Sequence, residues 1–125
     1  MEFQEPNDNE KPFVTAYGDG GFRVLGDRHM GSIIITAAGV QPWSITTPEG
    51  IADTDMAPFL ALEGQVDVLL VGTGEAHYPP NKRMAEALLE VGISVDFMGT
   101  GSACRTFNVL QSDGRQVATA LIAID

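Results

Sequence analysis

The sequence predicts a single α/β domain in which an N-terminal antiparallel β-hairpin region precedes a right-handed β-α-β crossover. Three observations carry that prediction. Residues 66–71 (VDVLLV) are nearly all apolar after Asp67, as in a strand covered on both faces. A helical stripe of Met84, Leu88 and Val91, spaced i, i+4, i+7 and widened by Ala87, separates that run from a second apolar strand at 93–98 (ISVDFM). Upstream, short β-type runs alternate with Gly/Asp clusters and show no helical period. A strand, helix and strand of these lengths favour a right-handed parallel crossover.

The elements follow in order. Residues 1–12 are acidic, carry a single aromatic and read as a flexible tail, leaving 13–125 as the domain. Phe13, Val14 and Tyr17 precede the Gly18-Asp19-Gly20-Gly21 cluster, and Phe22 to Leu25 follow it, which predicts a hairpin. Residues 26–29 (GDRH) read as a further turn. Residues 31–37 (GSIIITA) are β-branched and predict a strand, and 38–44 continue extended, with Pro42 excluding a central position in the sheet. Thr54 or Asp55 caps a short helix through Met56, Phe59, Leu60 and Leu62, which Gly64 ends. After the first crossover strand, the helix begins near Pro80 or Asn81, and Gly92 stands where a left-handed residue closes it. Ser102 is read as the cap of a second helix with Ala103, Phe107 and Leu110 inward. Residues 117–124 (VATALIAI) predict an interior strand.

Composition narrows the function classes. The chain has 125 residues, a common size for one domain, and 44% hydrophobic residues, too many for a disordered chain of this charge. Seventeen acidic against 7 basic side chains give a net charge of −10, which repels nucleic acid phosphate and anionic lipid. Lys82-Arg83 is the one adjacent basic pair, so nucleic acid is not an expected partner. A single cysteine, Cys104, rules out an intrachain disulfide and favours a reducing compartment, so a cytoplasmic location is expected. No apolar run approaches the ~20 residues of a membrane helix, and direct membrane insertion is not expected. The N-terminal segment has neither the apolar region of a secretory signal nor the arginines of a transit peptide.

The candidate chemistry lies in the two glycine-rich loops. Gly72-Thr73-Gly74 follows a strand and precedes a helix, where backbone N–H groups can face an anion. The dinucleotide fingerprint is incomplete, because position 77 is His, and the phosphate-loop ending Gly-Lys-Ser/Thr is missing. The loop therefore reads either as a structural turn or as an anion or small-ligand site. His77, two residues after Glu75, offers a proton carrier near neutral pH, or is simply an exposed loop histidine. With Ser102 as the cap, Cys104 falls in the first helical turn beside Arg105, and both features favour a thiolate nucleophile. Its alternative is a buried structural thiol. Arg105 and Asn108 either hold the 99–101 loop or touch a ligand or partner. Two histidines and one cysteine supply no recognisable metal set, and no cofactor is expected.

Val71-Gly72-Thr73-Gly74, the run from Met98 to Asn108 (MGTGSACRTFN) and Gly114-Arg115 before the last strand resemble the domain-of-unknown-function family 498. The family includes the mitochondrial assembly factor 3 of NADH:ubiquinone oxidoreductase (complex I), with many uncharacterised bacterial and archaeal proteins. The specific part is Thr-x-x-Ala-Cys-Arg-Thr-aromatic-Asn, and the resemblance covers about residues 13–125. Phe107 stands where tyrosine is expected in many relatives, so a hydroxyl role there is lost. The resemblance implies a three-layer domain with a mixed central sheet, no established catalytic activity, cofactor or metal, and action through protein contacts during assembly. Without a transit peptide, the chain is expected to be a bacterial cytoplasmic member.

Two functions follow as expectations. The first is a non-enzymatic interaction protein assisting assembly of a respiratory or membrane complex. Its contact surface lies at loops 72–80 and 99–108, with Gly72, Thr73, Gly74, Tyr78, Pro79, Arg105 and Asn108. The second is a small-molecule binder or cysteine-dependent enzyme in the same crevice, with Cys104 as nucleophile assisted by His77 or Arg105. A homodimer through an exposed sheet edge is compatible with either.

Overall fold

The computed structural model describes residues 11–125. Eight strands, β1 (Val14–Gly18), β2 (Gly21–Val24), β3 (Asp27–Met30), β4 (Ile33–Thr36), β5 (Gly39–Pro42), β6 (Val68–Gly72), β7 (Ser94–Met98) and β8 (Val117–Leu121), form two sheets. The first is antiparallel in the order β1-β2-β3, and the second is mixed in the order β5-β4-β8-β6-β7. Helices α1 (Ala57–Leu60), α2 (Lys82–Leu89) and α3 (Thr100–Ser112) and a 3-10 helix over Pro48–Asp53 complete the elements.

Alternation along the strands divides the core between the two faces of the five-stranded sheet. Leu69 and Val71 of β6, Ala118 and Ala120 of β8 and Ile34 of β4 pack with Phe59, Met84 and Leu88. Leu70, Leu121, Ile33 and Ile35 point the other way, onto Ala103, Cys104 and Phe107 of α3 and Phe22 and Val24 of β2. The mixed sheet is thus the middle of three layers. Its central strands β8 and β6 are buried on both sides, which is why their sequences lack a polar face. β6 runs parallel to both β7 and β8, while β4 is antiparallel to β8.

The crossover is built as its sequence indicates. Asn81 caps α2 by accepting from the Met84 N–H at 2.9 Å, Met84 and Leu88 are buried, and Gly92 takes φ +84°. The hairpin at Asp19-Gly20 has φ values of 54° and 80°, matching the right-handed twist of β1 and β2.

Four local readings are corrected. Residues 27–30 form strand β3 rather than part of a turn; the turn is Leu25-Gly26, where Leu25 adopts φ 53°. Residues 38–44 do not simply continue β4, because the chain reverses at Ala37-Ala38 and returns as edge strand β5, which ends at Pro42. A 3-10 helix at Pro48–Asp53, capped by the Thr47 hydroxyl, precedes a one-turn α1 that ends at Leu60, short of Leu62; Asp55 accepts from Ala57 N–H at its start. Finally, α3 begins at Thr100 after Gly99, so Ser102 lies inside the helix and is not its cap. Of the expected acidic tail, residues 1–10 lie outside the described residues, while Lys11 donates to the Gln111 carbonyl of α3 at 2.9 Å.

Candidate functional site

Because β6, β7 and β8 are parallel, their C-terminal ends open at one edge of the sheet, and the segments after Gly72, Met98 and Leu121 meet there. Two threonines fasten these segments together. Thr100, fully buried, accepts from the Gly74 N–H at 2.9 Å and donates to the Ile122 carbonyl at 2.7 Å. Its own N–H donates to the Gly74 carbonyl at 2.8 Å. The Thr73 hydroxyl reaches the Ala76 and Met98 carbonyls at 2.8 and 3.1 Å, and Thr73 N–H donates to Met98 as well. Gly72 permits this approach, since a Cβ there would sit 2.9 Å from Thr100 Oγ1 and 3.0 Å from its Cα. The N–H groups of residues 73 and 74 are therefore engaged within the protein and do not point at an anion.

This stitching pins the base of residues 75–81, which emerge as an exposed segment with Tyr78 and Asn81 half-buried. Opposite lies the stretch 46–53. It is held by Trp43, which donates to Thr54 Oγ1 at 3.0 Å and meets Phe59 edge-on at 6.2 Å between ring centroids. Two open clefts of about 360 and 350 Å³ lie between the two segments and share Pro48, Glu49 and Tyr78. The first has Ile51, Pro79 and Phe97 in its walls; the second has Glu75, His77 and Asp125. Glu49 and Asp125 were not among the sequence candidates. The Thr47-Pro48-Glu49-Gly50 run does carry a helix-start signal, a capping hydroxyl followed by proline.

Cys104, Arg105 and Asn108 lie elsewhere. Cys104 is 1% exposed in the core between α3 and the sheet and lines neither cleft. Burial pushes its thiol up from an ordinary 9.0 to about 12, against a smaller lowering by the Arg105 charge. Starting α3 at Thr100 also moves Cys104 to the fifth helical residue, one turn past the terminus whose dipole favours a thiolate. Arg105 Nη1 donates to the Tyr17 hydroxyl at 2.7 Å, and that hydroxyl lies 2.8 Å from where a Cβ on Gly101 would be. The Asn108 amide takes both backbone groups of Val14, accepting at 2.9 Å and donating at 2.8 Å. These two side chains thus bind β1 to α3. His77 is exposed in the second cleft, on the loop away from Cys104. Among the described residues, no three His, Cys, Asp or Glu side chains are grouped to hold a metal ion. No helix there is long and apolar enough to cross a membrane.

Comparison with known proteins places this architecture. An uncharacterized protein of Rhodobacter capsulatus is 40% identical over 111 residues, covering 87% of this chain and 82% of that protein. The Drosophila melanogaster NADH dehydrogenase [ubiquinone] 1 alpha subcomplex assembly factor 3 is 37% identical over 87% of this chain. The human protein of the same name is 29% identical over 88% of it. The chain spans 57% and 60% of the lengths of those two assembly factors. Among solved structures, an outer membrane protein from Bartonella henselae superposes with a TM-score of 0.83 at 38% identity, covering 92% of this chain and 97% of that one. A Bordetella pertussis protein described as a Mth938-like domain superposes with a TM-score of 0.76 at 28% identity, over 98% of this chain and 92% of that one. The family model described as protein of unknown function (DUF498/DUF598) matches residues 14–122, and the chain belongs to that family.

Proposed function

We propose that this protein assists the assembly of a respiratory complex, acting in the cytoplasm through contact with a protein partner and without a covalent catalytic step. The observation that carries the reading is the match of 87% of the chain to a relative named as an assembly factor of NADH dehydrogenase. Two features support contact over catalysis. The single thiol is buried with its proton held, and the N–H groups of Thr73 and Gly74 are occupied by the protein itself. Arg105 and Asn108 bond to Tyr17 and Val14, which favours centring the contact surface on residues 75–80, with Gly72, Thr73 and Gly74 as its rigid base.

The test is capture of the tagged full chain from its native host after brief crosslinking, with mass spectrometry of the recovered proteins. Subunits of NADH dehydrogenase are expected. Recovery of nothing beyond the chain itself would overturn the reading.

A further inference from the structure

The two clefts that share Pro48, Glu49 and Tyr78 differ in chemistry from end to end. At one end the walls are mainly apolar or aromatic, with Ile51, Tyr78, Pro79 and Phe97 beside Asn81 and the shared Glu49, and Arg83 is tied to the neighbouring Ala52 carbonyl at 2.9 Å. The other end is lined by the acidic residues Glu49, Glu75 and Asp125, and among the described residues no Lys or Arg lines either cleft. The chain's net charge of −10 adds to that field. An anionic ligand is disfavoured twice, by the carboxylates and by the internal bonding of the Thr73 and Gly74 N–H groups. Both clefts are open, whereas small-molecule sites bury most of their ligand.

We propose that this trough docks an extended, basic segment of a partner protein, seating an apolar side chain beside Tyr78 and Phe97 and Lys or Arg side chains on Glu49, Glu75 and Asp125. Charge complementarity selects the occupant, and the proline-and-aromatic wall suits an extended backbone whose polar groups stay in water. The inference deepens the assembly reading and rests on it for the partner's identity, not for the chemistry of the segment. Glu49, Glu75 and Asp125 are exposed, so their amide variants leave the core untouched.

The test is a titration of the full ¹⁵N-labelled chain, followed by amide NMR shifts, with two synthetic peptides. One is acetyl-Leu-Pro-Ala-Arg-Ala-Arg-amide, and the other has both arginines replaced by glutamate. Shifts are expected with the arginine peptide only, confined to residues 46–52, 73–81, 97 and 122–125. E49Q/E75Q is expected to weaken binding about 2- to 30-fold, the range for two exposed ion pairs. Tyr78→Ala weakens it from the apolar end, and added salt weakens it further. The proposal is overturned by no shifts, by equal shifts with the glutamate peptide, by shifts spread over the acidic surface and insensitive to E49Q/E75Q, or by equal shifts with free arginine. Peptide binding without capture of NADH dehydrogenase subunits removes the assembly reading alone. Capture of those subunits without peptide binding removes the trough alone.

Discussion

Asn108→Ala isolates one side chain that ties β1 to α3. Its amide makes two hydrogen bonds to Val14, at 2.8 and 2.9 Å, across 94 positions of sequence, and Val14, the first residue of β1, is itself buried in the core. Each bond contributes about 0.5–1.5 kcal/mol net, and the stranded Val14 N–H and C=O add a desolvation cost wherever water does not replace the amide. Because Asn108 is half-buried, water reaches part of the gap, and the expected loss is about 2–3 kcal/mol. For a chain of this size that lowers Tm by roughly 6–15 °C. Urea unfolding of wild type and variant measures the loss directly, and exchange of the Val14 amide should accelerate in the variant. Asn108→Asp is the informative control, since a carboxylate still accepts from Val14 N–H but faces the Val14 carbonyl with no donor. A loss below about 0.5 kcal/mol, or unchanged protection at Val14, would contradict a stabilising role for the two bonds.

The remaining predictions concern the buried hydroxyl and thiol. Thr100→Val keeps the shape but strands Gly74 N–H and the Ile122 carbonyl, so a loss of about 2–6 kcal/mol is expected in urea unfolding, with Thr100→Ser losing far less. Cys104 should resist iodoacetamide in the folded protein and react once the chain is unfolded. Its raised pKa also sets a sign. Above the ordinary 9.0 the unfolded chain releases the thiol proton, while the folded protein holds it to about 12. Stability conferred by the neutral thiol is therefore complete below pH 9.0 and is lost as pH rises toward 12, by up to about 1.4 kcal/mol per pH unit. Subtracting the stability–pH curve of Cys104→Ala from that of wild type should expose this slope; parallel curves would contradict it.

Elements with local signals were legible in the sequence. Asn81, Met84, Leu88 and Gly92 define α2 by cap, stripe and terminator, and the apolar runs of β6 and β8 announce interior strands. Strand β3 was not, because Asp27, Arg28 and His29 carry no apolar alternation and Leu25-Gly26 is not a turn pair of the Asn-Gly kind. The start of α3 was misplaced for a tertiary reason: the Thr100 hydroxyl is engaged by Gly74 and Ile122, contacts that sequence spacing does not reveal. The same holds for Arg105 and Asn108, whose partners lie 88 and 94 residues away. The clefts were half legible, since His77, Tyr78 and Pro79 lie on a loop singled out by its glycines and prolines. Glu49 and Asp125 join them only through the convergence of the parallel strand ends.

The proposed function, support of a respiratory complex by contact and not through the thiol, is open to a direct test in cells. The most direct measurement is the amount of assembled NADH dehydrogenase, read by in-gel activity on native gels, in the native host lacking this gene and complemented with variants. Assembly is expected to be depleted on deletion, restored by wild type and by Cys104→Ala at equal chain levels, and restored less fully by E49Q/E75Q. Full assembly in the deletion, or failure of a stably accumulated Cys104→Ala, would contradict the proposed function.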